Sequence, residues 1–277
     1  MPADVDALVL SNDRLSEAYN VVGLAAPSIA AAAQPGQFVM VREDRPGAPL
    51  LRRPFSIFEI LRDDQGRPTG ISLLNKRVGV VTGALYAREP GGRLQCLGPL
   101  GRPFSVGTPP AEAWMVAGGV GLAPFATLAE ALREQRTPAT LYYGGRSASD
   151  LFHVDWFERR DIRVVLATED GSRGEAGLIT GPLERHLALL PAAAPLMIHA
   201  CGPTGMMRAV AQLAQASGRA TEVSLEPVMG CGLGGCYSCV VPVRSGPATP
   251  SQLVRSCLQG PVFPGHQVAW NELAPAV

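Results

Sequence analysis

Ala113-Trp114-Met115-Val116-Ala117-Gly118-Gly119-Val120-Gly121-Leu122-Ala123-Pro124 carries the clearest architectural signal in this chain of 277 residues. Residues 113–117 suit a short apolar strand. The glycine turn after them leads into a helical pattern over 124–135, with Phe125, Leu128, Ala129 and Leu132 on one face. Bare amides at a helix start fit an anion such as a pyrophosphate. The dinucleotide fingerprint G-x-G-x-x-G is incomplete, because Pro124 stands where its last glycine would fall, so an ordinary tight turn competes with a phosphate cradle. Downstream, 140–143, 162–167 and 196–200 read as further strands. The last leads through Cys201-Gly202-Pro203-Thr204-Gly205 into a helix reaching about residue 218. This alternation predicts a Rossmann-like parallel sheet flanked by helices, with ligands at the carboxyl ends of its strands. Gly118, Gly119, Gly121, Gly202 and Pro203 are then the candidate nucleotide contacts.

Upstream the rhythm differs. Short apolar stretches at 37–41, 55–60 and 70–74 are separated by breakers such as Arg45-Pro46-Gly47 and Asp63-Asp64-Gln65-Gly66, which predicts hairpins in a closed or nearly closed antiparallel sheet. Gly107-Thr108-Pro109-Pro110 reads as a linker. Within the β-rich part, Arg52-Arg53-Pro54-Phe55-Ser56 offers two guanidiniums, a ring and a hydroxyl, enough to clasp a phosphate and an aromatic group; an exposed basic turn is the rival reading.

The last fifty-odd residues are rich in glycine and cysteine. Cys231, Cys236 and Cys239 form a C-x₄-C-x₂-C run, and seventeen residues separate Cys239 from Cys257. That is plant-type [2Fe–2S] spacing, with four thiolates holding two irons. Zinc is the main alternative, although structural zinc sites usually use two C-x₂₋₄-C pairs. Cys96 and Cys201 lie outside the set, and packing is the default role of each.

Composition narrows the field. Lys+Arg and Asp+Glu each number 24, only Lys76 is a lysine, and the formal net charge is zero, which argues against nucleic-acid or anionic-membrane binding as the main task. Hydrophobic residues at 47% supply a large core, and no apolar run approaches the roughly 18–20 residues that cross a bilayer. The N-terminus, MPADVDALVL, lacks a basic n-region, so a soluble cytoplasmic protein is expected. No H-E-x-x-H, G-x-S-x-G or P-loop is present. The four histidines (His153, His186, His199, His266) are scattered, with His199 reading as a core residue of an apolar strand.

Arg53-Pro54-Phe55-Ser56, Gly98-Pro99-Leu100-Gly101, the glycine turn at 118–124 and Cys201-Gly202-Pro203 resemble, in this order, the signature of ferredoxin reductase-type flavoproteins. Ser224-Leu225-Glu226 before the cysteine run and Gly260-Pro261-Val262-Phe263 after it narrow the resemblance to electron-transfer subunits of NAD-dependent dihydroorotate dehydrogenases. The resemblance implies an FAD-binding β-barrel over 1–108, an NAD-binding α/β domain over 109–222 and a [2Fe–2S] module over 223–277. It assigns the flavin to Arg53, Pro54, Phe55, Ser56, Leu74, Asn75, Lys76, Val81 and Thr82, departing from the family pattern at Val81, where glycine is usual, and at Asn75, where an aromatic is common. It sets Cys201 beside the nicotinamide, in competition with its packing role. The implied partner is an FMN-containing catalytic subunit, in a heterotetramer of pyrimidine biosynthesis. Subunits of a hydrogenase or of a ferredoxin:NADP⁺ transhydrogenase, and a zinc-holding interaction module, stay open as alternatives. Arg146-Ser147 also leaves an adenosine 2′-phosphate open.

Overall fold

A computed structural model describes residues 1–43, 47–106, 112–191, 194–246 and 249–273. The predicted linker at 107–110, the domain boundary set at 108, and Arg45-Pro46 of one predicted turn lie outside the described residues. Among the described residues, no helix is long and apolar enough to cross a membrane.

The N-terminal part is built from β1 (Ala3–Arg14), β2 (Tyr19–Ala25), α1 (Pro27–Ala32), β3 (Phe38–Arg42), β4 (Arg53–Ser56), β5 (Glu59–Arg62), β6 (Pro68–Lys76), α2 (Val80–Ala87) and β7 (Arg93–Leu100). Its seven strands are antiparallel in the order β4-β3-β7-β1-β2-β6-β5. Alternation explains the curl. Ala7 and Val9 of β1 face the core, whereas Asp4, Asp6 and Leu8 face outward. One chain segment supplies both edges, since β4 pairs with β3 and β5 with β6. At the break between them, Ile57 N donates to the Gln37 carbonyl and Phe58 N to that of Ser72. The sheet therefore closes on itself and exposes no long edge.

The second part starts with β8 (Glu112–Gly118), a short 3-10 turn over Gly119–Leu122, and α3 (Ala123–Glu134). β9 (Ala139–Gly145), α4 (Val154–Glu158), β10 (Arg163–Thr168), β11 (Glu175–Ala176), α5 (Thr180–Leu189), β12 (Leu196–Cys201), α6 (Thr204–Ala216) and β13 (Ala220–Ser224) follow. The strands are parallel, in the order β11-β10-β9-β8-β12-β13. Apolar clusters cover both faces: Phe125, Leu128 and Leu132 of α3 fill one, while Met207, Val210 and Ala214 of α6 share the other with Ile198. The sequence-derived strands and helices agree with these elements within a few residues at each end. His199 is buried in β12, edge-on to Phe104 and 3.4 Å from Glu222.

The C-terminal part holds the cysteine loop, a hairpin of β14 (Val240–Val243) and β15 (Gln252–Arg255), α7 (Ser256–Gln259) and β16 (Val262–Pro264). The hairpin fills the interval between Cys239 and Cys257. β16 then returns to pair antiparallel with β13, extending the second sheet. Contacts between the parts fix their arrangement. Trp156 Nε1 donates to Glu59 at 2.6 Å, Arg102 N to the Gly260 carbonyl at 2.6 Å, and Ser105 N to Glu222 at 2.9 Å.

Candidate functional site

Two adjoining cavities lie where the three parts meet. The first, of about 270 Å³, is lined by Pro54, Phe55 and Ser56 of β4, Leu74 and Lys76 of β6, Thr82 of α2, and Phe38, Met229 and Pro261. The second, of about 870 Å³, runs along the carboxyl ends of the parallel strands, past Gly118, Gly119, Gly121, Gly145, Arg146, Glu169, Gly202 and Pro203. Lys76, Val120, Leu225, Glu226 and Pro227 line both. A ligand in one cavity therefore touches the walls of the other.

The residues predicted for the flavin separate into three groups. Pro54, Phe55, Ser56, Leu74, Lys76 and Thr82 line the first cavity. Arg53 stands exposed, its guanidinium donating to the carbonyls of Leu51 and Arg52, while Arg52 turns away to Asp4. Asn75 and Val81 are buried behind the wall. Asn75 Nδ2 donates to Asn20 Oδ1 at 2.7 Å and to the Thr82 carbonyl at 3.0 Å. Asn20 in turn donates to Asn12 Oδ1, and Asn12 donates to the carbonyls of Leu85, Tyr86 and Arg88. Three amides thus satisfy the carbonyls of α2 and tie it to β1, β2 and β6, which is why a polar residue occupies position 75. At the other end of this helix, Thr82 Oγ1 accepts from Val78 N and Gly79 N at 2.9 Å each.

The second cavity needs its glycines for space. A Cβ on Gly121 would stand 2.4 Å from the Cys201 carbonyl oxygen, and one on Gly202, whose φ is +144°, 2.9 Å from Gly118 N. The turns after β8 and β12 are therefore in backbone contact, and both line the cavity. In the second cavity, Arg146 pairs loosely with Asp150 (3.5 Å), whose carboxylate also accepts from Tyr19. Cys201 is fully buried, and its Sγ donates to Glu226 Oε1 at 3.7 Å. Burial pushes the Cys201 thiol well above its ordinary value, and the Glu226 charge adds to the rise. Glu226 lines both cavities, and desolvation raises its carboxyl above the usual range. Nothing local in the sequence marks Tyr19 or Glu169 as cavity residues, and Glu226 is visible beforehand only as part of a flanking motif.

The four cysteines of the C-terminal run come together as two pairs. Cys231 lies close enough to Cys236 to lower its thiol pKa, and Cys239 close enough to Cys257 to raise that of Cys257, with Cys231 also acting electrostatically on Cys257. Among the described residues, no three His, Cys, Asp or Glu side chains gather as a single-ion site. Two pairs suit a two-iron cluster, each iron taking two thiolates. The loop has the shape such a group needs. Gly232 and Gly234 have φ of +73° and +82°, and a Cβ on either would meet Met40 Cγ or Leu258 Cδ1 at 2.5 Å. Leu233 N points at Cys231 Sγ (3.4 Å), and Ser238 Oγ lies 3.2 Å from Cys236 Sγ. Cys239 and Cys257 are packed with Phe38, Met40, Leu100 and Met229. Phe38 and Met229 also line the first cavity, so one apolar layer separates the thiols from it.

Comparison with known proteins agrees with this geometry. Residues 226–269 match the iron–sulfur cluster binding domain of dihydroorotate dehydrogenase B, and residues 115–212 match the oxidoreductase NAD-binding domain. Over 247 residues the chain is 38% identical to the "Dihydroorotate dehydrogenase B (NAD(+)), electron transfer subunit" of Desulforamulus reducens, covering 89% of this chain and 90% of the relative. The chain belongs to this family. A second member, from Geobacillus kaustophilus, is 34% identical over 85% of this chain and 86% of its own. The solved structure of an NADH-dependent reduced ferredoxin–NADP oxidoreductase, described in connection with flavin-based electron bifurcation, superposes with a TM-score of 0.83 at 28% identity, covering 99% of this chain and 93% of that one.

Proposed function

We propose that this chain is the electron-transfer subunit of an NAD⁺-dependent dihydroorotate dehydrogenase, carrying electrons from a catalytic partner subunit to NAD⁺ in pyrimidine synthesis. The observation that carries the reading is the continuous wall from the paired thiols, through Phe38 and Met229, to the first cavity, and through Lys76, Val120 and Glu226 to the second. A [2Fe–2S] cluster passes single electrons, FAD exchanges one or two, and NAD⁺ accepts a hydride.

Each site has the donors its group requires. Cys231, Cys236, Cys239 and Cys257 would hold the cluster. Pro54, Phe55, Ser56, Leu74, Lys76 and Thr82 would hold FAD, with Arg53 at the rim and with Asn75 and Val81 fixing α2 from behind. Gly118, Gly119, Gly121, Gly202 and Pro203 would cradle the dinucleotide. Cys201, whose raised pKa keeps its proton on Sγ, donates to Glu226 and holds that carboxylate at the junction of the cavities. Domains at 1–108, 109–222 and 223–277 and a cytoplasmic heterotetramer complete the proposal.

The test is a division of labour. The isolated chain, loaded with its cofactors, should oxidise NADH with an artificial acceptor and leave dihydroorotate untouched until a catalytic subunit is added. Dihydroorotate oxidation by the chain alone would refute the assignment. The likeness to the ferredoxin–NADP oxidoreductase supports a second reading, as a subunit of a bifurcating complex. Purifying the chain with its native partner separates the two.

A further inference from the structure

Ser238 belongs to two sites at once. Its Oγ accepts from Gly230 N at 2.8 Å and lies 3.2 Å from Cys236 Sγ. A ligating thiolate has no proton to give, so the hydroxyl hydrogen goes to the sulfur and Ser238 is the donor. The same residue lines the larger cavity, beside Val228, Val240 and Val241. Ser238 and Cys236 are both exposed, and the serine side of that exposure faces the dinucleotide cavity.

Hydrogen bonds to the sulfurs and access of solvent are two means by which a protein sets an iron–sulfur potential. Both meet at this hydroxyl, whose hydration depends on whether water or nucleotide fills the cavity. We propose that Ser238 couples the dinucleotide cavity to the iron–sulfur site, so that a bound nicotinamide dinucleotide displaces water from the Ser238–Cys236 pair and lowers the reduction potential there. The sign follows from charge. Reduction adds an electron to an already anionic group, and removing water from one side of that group disfavours the added charge. Linkage then requires the converse, that reduction weakens dinucleotide binding by the same factor. An occupied cavity makes the iron–sulfur site a stronger reductant when the final acceptor is in place.

The inference rests on the function proposed above, and the experiment uses the assembled complex with its cofactors. The potential is read by titration with electron paramagnetic resonance, with and without saturating 1,4,5,6-tetrahydro-NAD, a dinucleotide that cannot accept or donate hydride. A coupling of about fivefold, at the low end of measured allosteric couplings, corresponds to a fall of about 40 mV for a one-electron couple. Ser238→Ala should keep the four-cysteine spectrum and lose most of the nucleotide-induced shift, and Ser238→Thr should restore it. An equal shift in wild type and Ser238→Ala, or no shift although tetrahydro-NAD binds, overturns the proposal. Should the alanine variant lose its iron, the wild-type affinity for tetrahydro-NAD with the cluster oxidised and reduced decides instead, and equal affinities overturn the proposal. A complex with no iron–sulfur signal, or one that binds no dinucleotide, refutes the proposed function and this inference with it.

Discussion

Gly121→Ala tests whether the contact between the two glycine turns builds the dinucleotide site. The added Cβ would stand 2.4 Å from the Cys201 oxygen, 2.5 Å from its carbonyl carbon and 2.7 Å from the Gly202 Cα. Ordinary contact begins at 3.4 Å, so the turns must part by about 1 Å (3.4 − 2.4). All three obstructing atoms are main chain, and no rotamer change relieves them. The strands behind are hydrogen-bonded neighbours, with Ala117 paired to Cys201, so the strain falls on the turns themselves. Overpacking of this kind costs about 1–3 kcal/mol of stability. The larger effect is expected on function, since Gly121 and Gly202 line the cavity and a displacement of about 1 Å can slow a positioned reaction on the order of 10²-fold. Stopped-flow reduction of the flavin by NADH reads this directly, with flavin and iron content as controls that should match wild type. Gly181→Ala in α5, where the nearest atom is the tip of Arg185 at 3.7 Å, should behave as wild type. A Gly121→Ala protein that binds NADH and reduces its flavin at the wild-type rate would refute the reasoning.

Other perturbations reach separate parts of the site. Asn75→Ala strips the Thr82 carbonyl and Asn20 Oδ1 of their donor, at about 1–3 kcal/mol for each buried group left unpaired; FAD affinity by fluorescence should fall, with dinucleotide affinity changing less. Cys257→Ser should abolish the visible iron–sulfur absorption and iron stoichiometry while flavin is retained. Burial pushes the Cys96 thiol to about 12, against 9.0 for an unperturbed thiol, so the folded protein keeps a proton that the unfolded chain loses. The stability this contributes is complete below pH 9 and declines toward pH 12, and urea midpoints above pH 9 should fall more steeply in wild type than in Cys96→Ala. In the native protein Cys201 should likewise resist alkylation at pH 8, as mass spectrometry of peptides can show.

What the sequence revealed depended on how local the signal was. The cysteine spacing and the two glycine turns are short-range patterns, and the structure puts the two turns in backbone contact. The hairpin at β14 and β15 was hidden, because Pro242 and a long turn interrupt its alternation. Helix α2 was also hidden. Its residues VVTGALYA suit a strand equally well, and its carbonyls are satisfied by Asn12 from distant β1 and by Asn75 from the preceding strand. The arginine pair shows the reverse. Arg52-Arg53 suggested a phosphate clasp, yet Asp4, brought near by the closed sheet, takes Arg52. Glu226 and Ser238 become cavity walls only because β16 returns the chain to β13, a pairing with no local trace.

That return has an architectural consequence. Ser224 and Val262 are paired across β13 and β16, and Leu225 N bonds the Pro261 carbonyl, so the cysteine loop, the hairpin and α7 leave and re-enter the sheet at one point. Topologically residues 226–260 form an oversized hairpin loop, whose strand β14 is also bonded to the following segment, Arg244 N to the Gln267 carbonyl and Ala269 N to the Pro242 carbonyl. A foreign iron–sulfur loop could be spliced in there without rethreading either neighbour, provided it restores the cavity walls that Glu226, Pro227 and Met229 supply.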